Sequence, residues 1–274
     1  MQDRYFGDVG DFGKYGLLRV LSGLWGGSKF RLGVVWYLFP DEDHNADGKH
    51  LGYLRKPRDY RDCDEPLYSK LRELLYDDLG RIIEANRNLT IAEKSGLLPE
   101  GTIFYSKEQT VSAQFSVQKE WFTDALTKTA LADLVFLDPD NGIECKSASR
   151  TSKKGPKYVY WEDIDAFVER GQSVVIYHHL GRTGGSHPEQ VEDKLRQMRE
   201  RFGNGFESSA AIFKRGTSRA YFVLASPRHK DLLRQRLSEM VSGPWKRHFS
   251  LARNAPVQIL LADAKAYVAS QAKA

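Results

Sequence analysis

The chain lacks most of the features that assign a protein quickly. It holds only two cysteines, Cys63 and Cys145, too few for a disulfide framework or a zinc set. No apolar run approaches the roughly 18 residues that a membrane-spanning helix requires. The opening Met-Gln-Asp-Arg-Tyr has neither the basic nor the apolar region of a secretory signal. No repeat or low-complexity tract interrupts the 274 residues. These absences exclude the disulfide-rich, membrane-spanning and solenoid classes. The expectation is a protein of the reducing cytoplasm with no membrane partner.

What is present suits a single α/β domain over residues 1–274. Fourteen phenylalanines, thirteen tyrosines and five tryptophans supply a core. The net charge of +5 is compatible with a polyanionic partner. Its distribution is more informative. A basic insertion at about 41–65 carries Lys49, Arg55, Lys56, Arg58 and Arg61, with Tyr53 and Tyr60 between them. A basic loop at about 146–157 carries Lys146, Arg150, Lys153, Lys154 and Lys157 without an acid. The expected partner is therefore nucleic acid, RNA or DNA, with Lys146, Arg150, Lys153 and Lys154 against its backbone. Solvated loops are the ordinary alternative.

The stretch from Ala132 to Glu144, A-D-L-V-F-L-D-P-D-N-G-I-E, organises the rest. Leu134 to Leu137 form the continuous apolar run of a strand buried on both faces. Pro139 ends it, because proline has no ladder donor. Asp138, Asp140, Asn141 and Glu144 follow at once. Acids at the carboxyl end of a buried parallel strand stand where open α/β folds place their chemistry.

Two further apolar runs end in polar residues. Leu32–Leu38 leads into F-P-D-E-D-H-N-A-D-G, and Ser173–His179 closes on Tyr177, His178 and His179. Side chains alternate along a strand, so only one of the two histidines can face a cleft, and His178 is taken as the candidate. After the second run, L-G-R-T-G-G-S-H-P-E offers Arg182 and a glycine pair before a helix, a combination suited to an anion. The N-terminal D-R-Y-F-G-D-V-G-D-F-G-K-Y-G-L-L reads as a helix capped by Asp11, with Lys14 in its first turn. Gly7, Gly10 and Gly13 imply positive φ or close backbone approach. A second helix is expected from Asp64, with Leu67, Leu71, Leu74, Leu75, Leu79, Ile82 and Ile83 on one face. Strands alternating with helices imply a mostly parallel, Rossmann-like sheet with helices on both faces. Ser208–Lys214 and Ser218–Ala225 are expected to add a C-terminal antiparallel hairpin. This is the element order of the class I methyltransferase fold.

Two motifs resemble a particular family of that fold. G-D-V-G-D-F-G-K-Y-G-L-L is similar to the A-G-N-x-A-D-V-L-K-H-x-L-L element of large-subunit ribosomal RNA adenine-N6 methyltransferases, and L-D-P-D-N-G to their D-P-P-Y motif. The resemblance covers these two short segments and the strand order. It implies transfer from S-adenosylmethionine to an amino group of a nucleic-acid base. Asp138 and the Pro139 carbonyl would accept from the amine. Asp140 and Asn141 occupy the places of the second proline and the aromatic residue, and Tyr177 is the candidate replacement ring. Lys14 matches the family's lysine, and the cofactor would lie against Lys14, Asp41, Asn45, Asp47 and Gly48. That last loop, however, is acidic where the family has a glycine-rich turn.

Two alternatives use these departures. Asp41, Asp138, Asp140 and Glu144 would form an oxygen-rich site for Mg²⁺ or Mn²⁺ and make the protein a metal-dependent nuclease or phosphohydrolase. Alternatively, the fold has lost catalysis and serves as a nucleic-acid-binding module.

Overall fold

The apolar runs form the strands of one central sheet. A computed structural model describes residues 1–23, 28–41, 48–109, 115–145, 149–181 and 185–253. The strands are β1 (Leu32–Trp36), β2 (Ile103–Tyr105), β3 (Leu134–Asp138), β6 (Ser173–His179), β7 (Glu207–Phe213), β8 (Arg219–Ala225) and β9 (Phe249–Arg253). A separate parallel pair, β4 (Gly142–Ile143) and β5 (Tyr158–Val159), lies between β3 and β6 in sequence. The seven-stranded sheet has the order β2-β1-β3-β6-β8-β7-β9. β2, β1, β3 and β6 are joined by parallel pairing, whereas β8 runs against both β6 and β7. The sheet is therefore mostly parallel. β7 and β8 pair from Glu207↔Ala225 to Phe213↔Arg219, and β9 then pairs with the far side of β7. That last strand was not anticipated.

Alternation along the strands separates two cores. Leu32, Val34, Trp36, Leu134, Phe136, Val175, Tyr221 and Val223 face the layer of α1 (Val9–Leu21), α3 (Glu65–Leu75) and α8 (Lys230–Ser242). Val35, Val135, Leu137, Val174, Ile176 and Phe222 face α5 (Phe115–Lys128), α6 (Trp161–Glu169) and α7 (His187–Phe202). Burial on both faces explains why these strands lack polar alternation. Two short helices, α2 (Pro57–Tyr60) and α4 (Leu89–Lys94), complete the α-helices among the described residues. None of these helices is long and apolar enough to cross a membrane.

Helix ends differ from expectation in two places. α1 is capped by Asp8, not Asp11. The Asp8 carboxylate accepts from the amides of Gly10 and Asp11, while Asp11 reaches back to the amide of Gly7. α3 is capped by Asp64 as expected, but it stops at Leu75. Asp77 accepts from the amides of Leu79 and Arg81, and Gly80 adopts φ +73°, so a tight turn replaces another helical turn. Leu79 is consequently 76% exposed.

The glycines of α1 set its closeness to the sheet. A Cβ at Gly10 would lie 1.5 Å from Arg219 Nη1, and one at Gly16 would lie 2.2 Å from the Trp245 ring. Close approach, not turn geometry, is the reason for glycine there. This places the first turns of α1 directly over the carboxyl ends of β3 and β6.

Candidate functional site

Because side chains alternate, Asp138 on β3, Tyr177 and His179 on β6 and Arg219 on β8 all project to the α1 face. They meet α1 at the carboxyl edge of the parallel strands, the edge where open α/β sheets bind ligands. A cavity of about 290 Å³ lies there, bounded also by Tyr5, Asp8, Asp11, Lys14, His50 and Lys157.

Lys14 is the centre of its charge arrangement. Its ammonium is 2.7 Å from Asp138 Oδ2 and 2.9 Å from Asp11 Oδ1, and it sits 5.2 Å from the Trp36 ring centroid. All three charged groups are almost fully buried. Burial by itself would lower the lysine's proton affinity, but Asp11 and Asp138 hold it above the ordinary lysine range. Burial likewise raises the carboxyl groups of Asp11 and Asp138, against the opposing pull of Lys14. Asp140 behaves oppositely. Burial would raise it, but the Met1 amine and Lys157, 3.3 Å away, hold it below the usual carboxylate range. Tyr177 is pushed up to about 12, chiefly by burial, and stays a neutral phenol at physiological pH.

The structure brings Lys14, Gly48, Asp138, Pro139, Asp140, Asn141 and Tyr177 into the cavity wall. It removes other candidates. His178 projects to the opposite face, where Nδ1 accepts from the amide of Ile143 at 3.0 Å; burial first, then Lys194, lowers its pKa to about 3. His179 lines the cavity instead. Strand alternation allowed one histidine, and register chose the other one. Gly142, at φ +108°, permits this approach, since a Cβ there would lie 2.3 Å from the His178 ring.

The proposed metal set does not assemble. Asp41 is exposed and accepts from the amide of Arg4, and Glu144 accepts from the amide of Trp161 to cap α6. Asp138 and Asp140 are neutralised by cations of the chain itself. Among the described residues, no group of three or more His, Cys, Asp or Glu side chains is placed to hold a metal ion. The basic loop is also reassigned in part. Arg150 binds Glu162 and Asp163 and lies 3.9 Å from the Tyr160 ring centroid, so it anchors the start of α6. Lys153 and Lys154 are exposed in the preceding turn. Asn45, Asp47, Lys146 and Arg182 lie outside the described residues.

Comparison with protein-family models, curated proteins and solved structures gave no match. The site must be read from its own geometry.

Sequence reasoning did not select Asp8, Asp11, His50, Lys157, His179, Thr217 or Arg219 as site residues. Local signals existed for some of them: the dense Asp-Gly pattern around Asp8 and Asp11, the basic loop that ends at Lys157, and the histidine pair that ends β6. Arg219 and Thr217 looked like an ordinary turn and strand start, because their place beside β6 depends on strand order.

Residues at the end of β1 bear on S-adenosylmethionine. The Met1 amine donates to the Tyr37 carbonyl at 2.6 Å, and the Met1 carbonyl accepts from the amide of Phe39 at 2.9 Å. These are the backbone groups beside which a glycine-rich turn would admit the methionine portion of the cofactor. Among the described residues, no glycine-rich turn follows β1.

Proposed function

We propose that the cavity receives the exocyclic amino group of a nucleic-acid base, with the Asp138 carboxylate and the Pro139 carbonyl as acceptors. The observation that carries this reading is the 2.7 Å contact between Lys14 and Asp138. It joins in one wall the two motifs on which the methyltransferase resemblance rests. The strand order, in which the antiparallel β8 separates β6 from β7, supports a methyltransferase-like, Rossmann-like architecture.

In this reading Lys14 holds Asp138 charged and oriented. A carboxylate and a carbonyl acceptor at one wall select an –NH₂ group, which has two donors, over a carbonyl oxygen, which has none. Tyr5 and Tyr177 offer aromatic surface to the base, which stacking would retain. Because no glycine-rich turn follows β1 among the described residues, no transfer step is assigned. That mismatch favours amine recognition without methylation, a binding module built on an enzyme-like sheet.

The test is calorimetric titration with adenosine and with inosine, which carries an oxygen in place of the amine. Adenosine should bind at least about tenfold tighter, since a site built for a donor leaves its acceptors unpaired against the analogue. Equal affinities would sink the amine assignment. Methyl incorporation into RNA or DNA from labelled S-adenosylmethionine would restore the catalytic reading.

A further inference from the structure

We infer that Arg219 is the anion-binding group of the cavity and that the ligand carries a phosphate; this rests on the amine reading only for the identity of the ligand's other end. Arg219 is 8% exposed and lines the cavity. Among the described residues no carboxylate lies within ion-pairing distance of it. Its hydrogen bonds go to the carbonyl of Thr217 at 3.3 Å from Nε and to the Thr217 hydroxyl at 2.8 Å from Nη2. Both fix the orientation of the guanidinium and neither neutralises it. A buried cation is costly unless paired, and the other lysines lining this cavity have their carboxylates: buried Lys14 has Asp11 and Asp138, and half-buried Lys157 has Asp140. Asp8 and Asp11 line the cavity too, but Asp8 Oδ1 accepts from the amides of its own helix and Asp11 pairs with Lys14. Burial would lower the proton affinity of Arg219, but Tyr177, Tyr221, Asp8 and Asp11 raise it without any described carboxylate coming within ion-pairing distance.

The place of Arg219 was prepared by the backbone. Nη1 lies where a Cβ of residue 10 would be, so Gly10 vacates the volume it fills. Register pairs Arg219 with His179, whereas Asp138 lies two strands away on β3. Two strand spacings amount to roughly 10 Å. A ligand with an amine at one end and an anion at the other, separated by the dimensions of a nucleoside, spans the two. Phosphate suits the planar guanidinium fork, which binds two of its oxygens at once.

The test compares adenosine, adenosine 5′-monophosphate, inosine 5′-monophosphate and inorganic phosphate by titration calorimetry. The wild-type protein should bind adenosine 5′-monophosphate at least tenfold tighter than adenosine. Arg219→Gln should abolish that preference. Thr217→Val, on the exposed turn, keeps every apolar contact of β8 and should reduce the preference several-fold, which covers the case that Arg219→Gln fails to fold. No preference for the phosphorylated ligand, or a preference that survives both variants, would overturn the inference. Inosine 5′-monophosphate binding as tightly as its adenosine counterpart, with both dependent on Arg219, would reject the amine reading and keep the anion subsite. If no nucleotide binds, loss of phosphate binding in Arg219→Gln supports the subsite, and absence of phosphate binding by the wild type rejects it. A 5′-phosphorylated oligonucleotide binding tighter than the mononucleotide would place the phosphate on a strand end, and the reverse would place it on a free nucleotide.

Discussion

Lys14 and Asp138, 124 residues apart in the chain, form a buried ion pair with an N···O distance of 2.7 Å. Asp11 completes a triad in which one ammonium serves two carboxylates. Buried pairs of this kind add little net stability, because desolvation offsets the attraction, but breaking one leaves an uncompensated charge.

Removing the cation should therefore be expensive. Lys14→Met leaves Asp11 and Asp138 facing each other without an ammonium, and the expected loss is about 3–5 kcal/mol. Both carboxyl groups then rise further, since burial raises them already. As pH falls they protonate in the folded state, so the difference from wild type shrinks. Urea denaturation at neutral and mildly acidic pH measures this. A deficit that is unchanged by pH would show that the loss is one of packing rather than charge.

His178 predicts the opposite direction for the wild type. Its folded pKa of about 3 lies below the ordinary histidine value of 6.5, chiefly through burial. The unfolded chain therefore binds a proton that the folded chain refuses. Stability from this group is complete above pH 6.5 and declines toward pH 3, by about 1.4 kcal/mol for each pH unit in that window. His178→Asn keeps an acceptor for the Ile143 amide and cannot titrate. The stability gap between the two proteins should close, or reverse, between pH 7 and pH 5.

Gly10 tests how α1 and Arg219 share space. In an open helix, Gly→Ala stabilises by about 1 kcal/mol. Here the added methyl would stand 1.5 Å from Nη1, so either the guanidinium or the helix must shift. Gly10→Ala should destabilise by about 1–3 kcal/mol, the usual range for overpacking. A thermal midpoint at or above that of the wild type would mean that the arginine swings aside freely.

Asp138→Asn separates recognition from folding. The amide keeps the shape of the carboxylate but loses its charge and presents a donor on one side. Discrimination between adenosine and inosine should fall by about tenfold, the worth of one hydrogen bond to a charged group. A complete retention of selectivity would place the amine against other groups of the cavity.

Asp64 combines two tasks, capping α3 and binding Arg19 at 2.7 Å. Asp64→Ala removes the cap and leaves the Arg19 guanidinium buried beside the Leu97 carbonyl alone. A loss of about 3–5 kcal/mol is expected from the stranded charge. A deficit near 1 kcal/mol would match the cap alone.

Much of the architecture was legible locally. The apolar runs at Leu32, Leu134 and Ser173 marked central strands, since only burial on both faces suits such sequences. Pro139 and the acids after it marked the edge where the cavity lies, and the prolonged N-terminal motif marked Lys14. What failed did so for a consistent reason. The face chosen by His178, the stop of α3 at Leu75 and the diversion of Glu144 and Arg150 to the start of α6 are decided by neighbours far away in sequence. A one-residue change of register reverses the face of every strand side chain, and nothing in Y-H-H states the register.

The sequence alone therefore determined that this is an α/β chain with polar and charged residues gathered at the ends of its buried strands, because apolar periodicity and proline act locally. Tertiary structure decided which charges meet. Lys14 becomes the partner of Asp138 only because glycines let α1 lie close to the sheet. Arg219 enters the cavity only because β8 is inserted beside β6, with its first residue opposite His179. Strand order and register are global properties, so the ion pair could be suspected from its two motifs, whereas the place of Arg219 in the cavity wall could not.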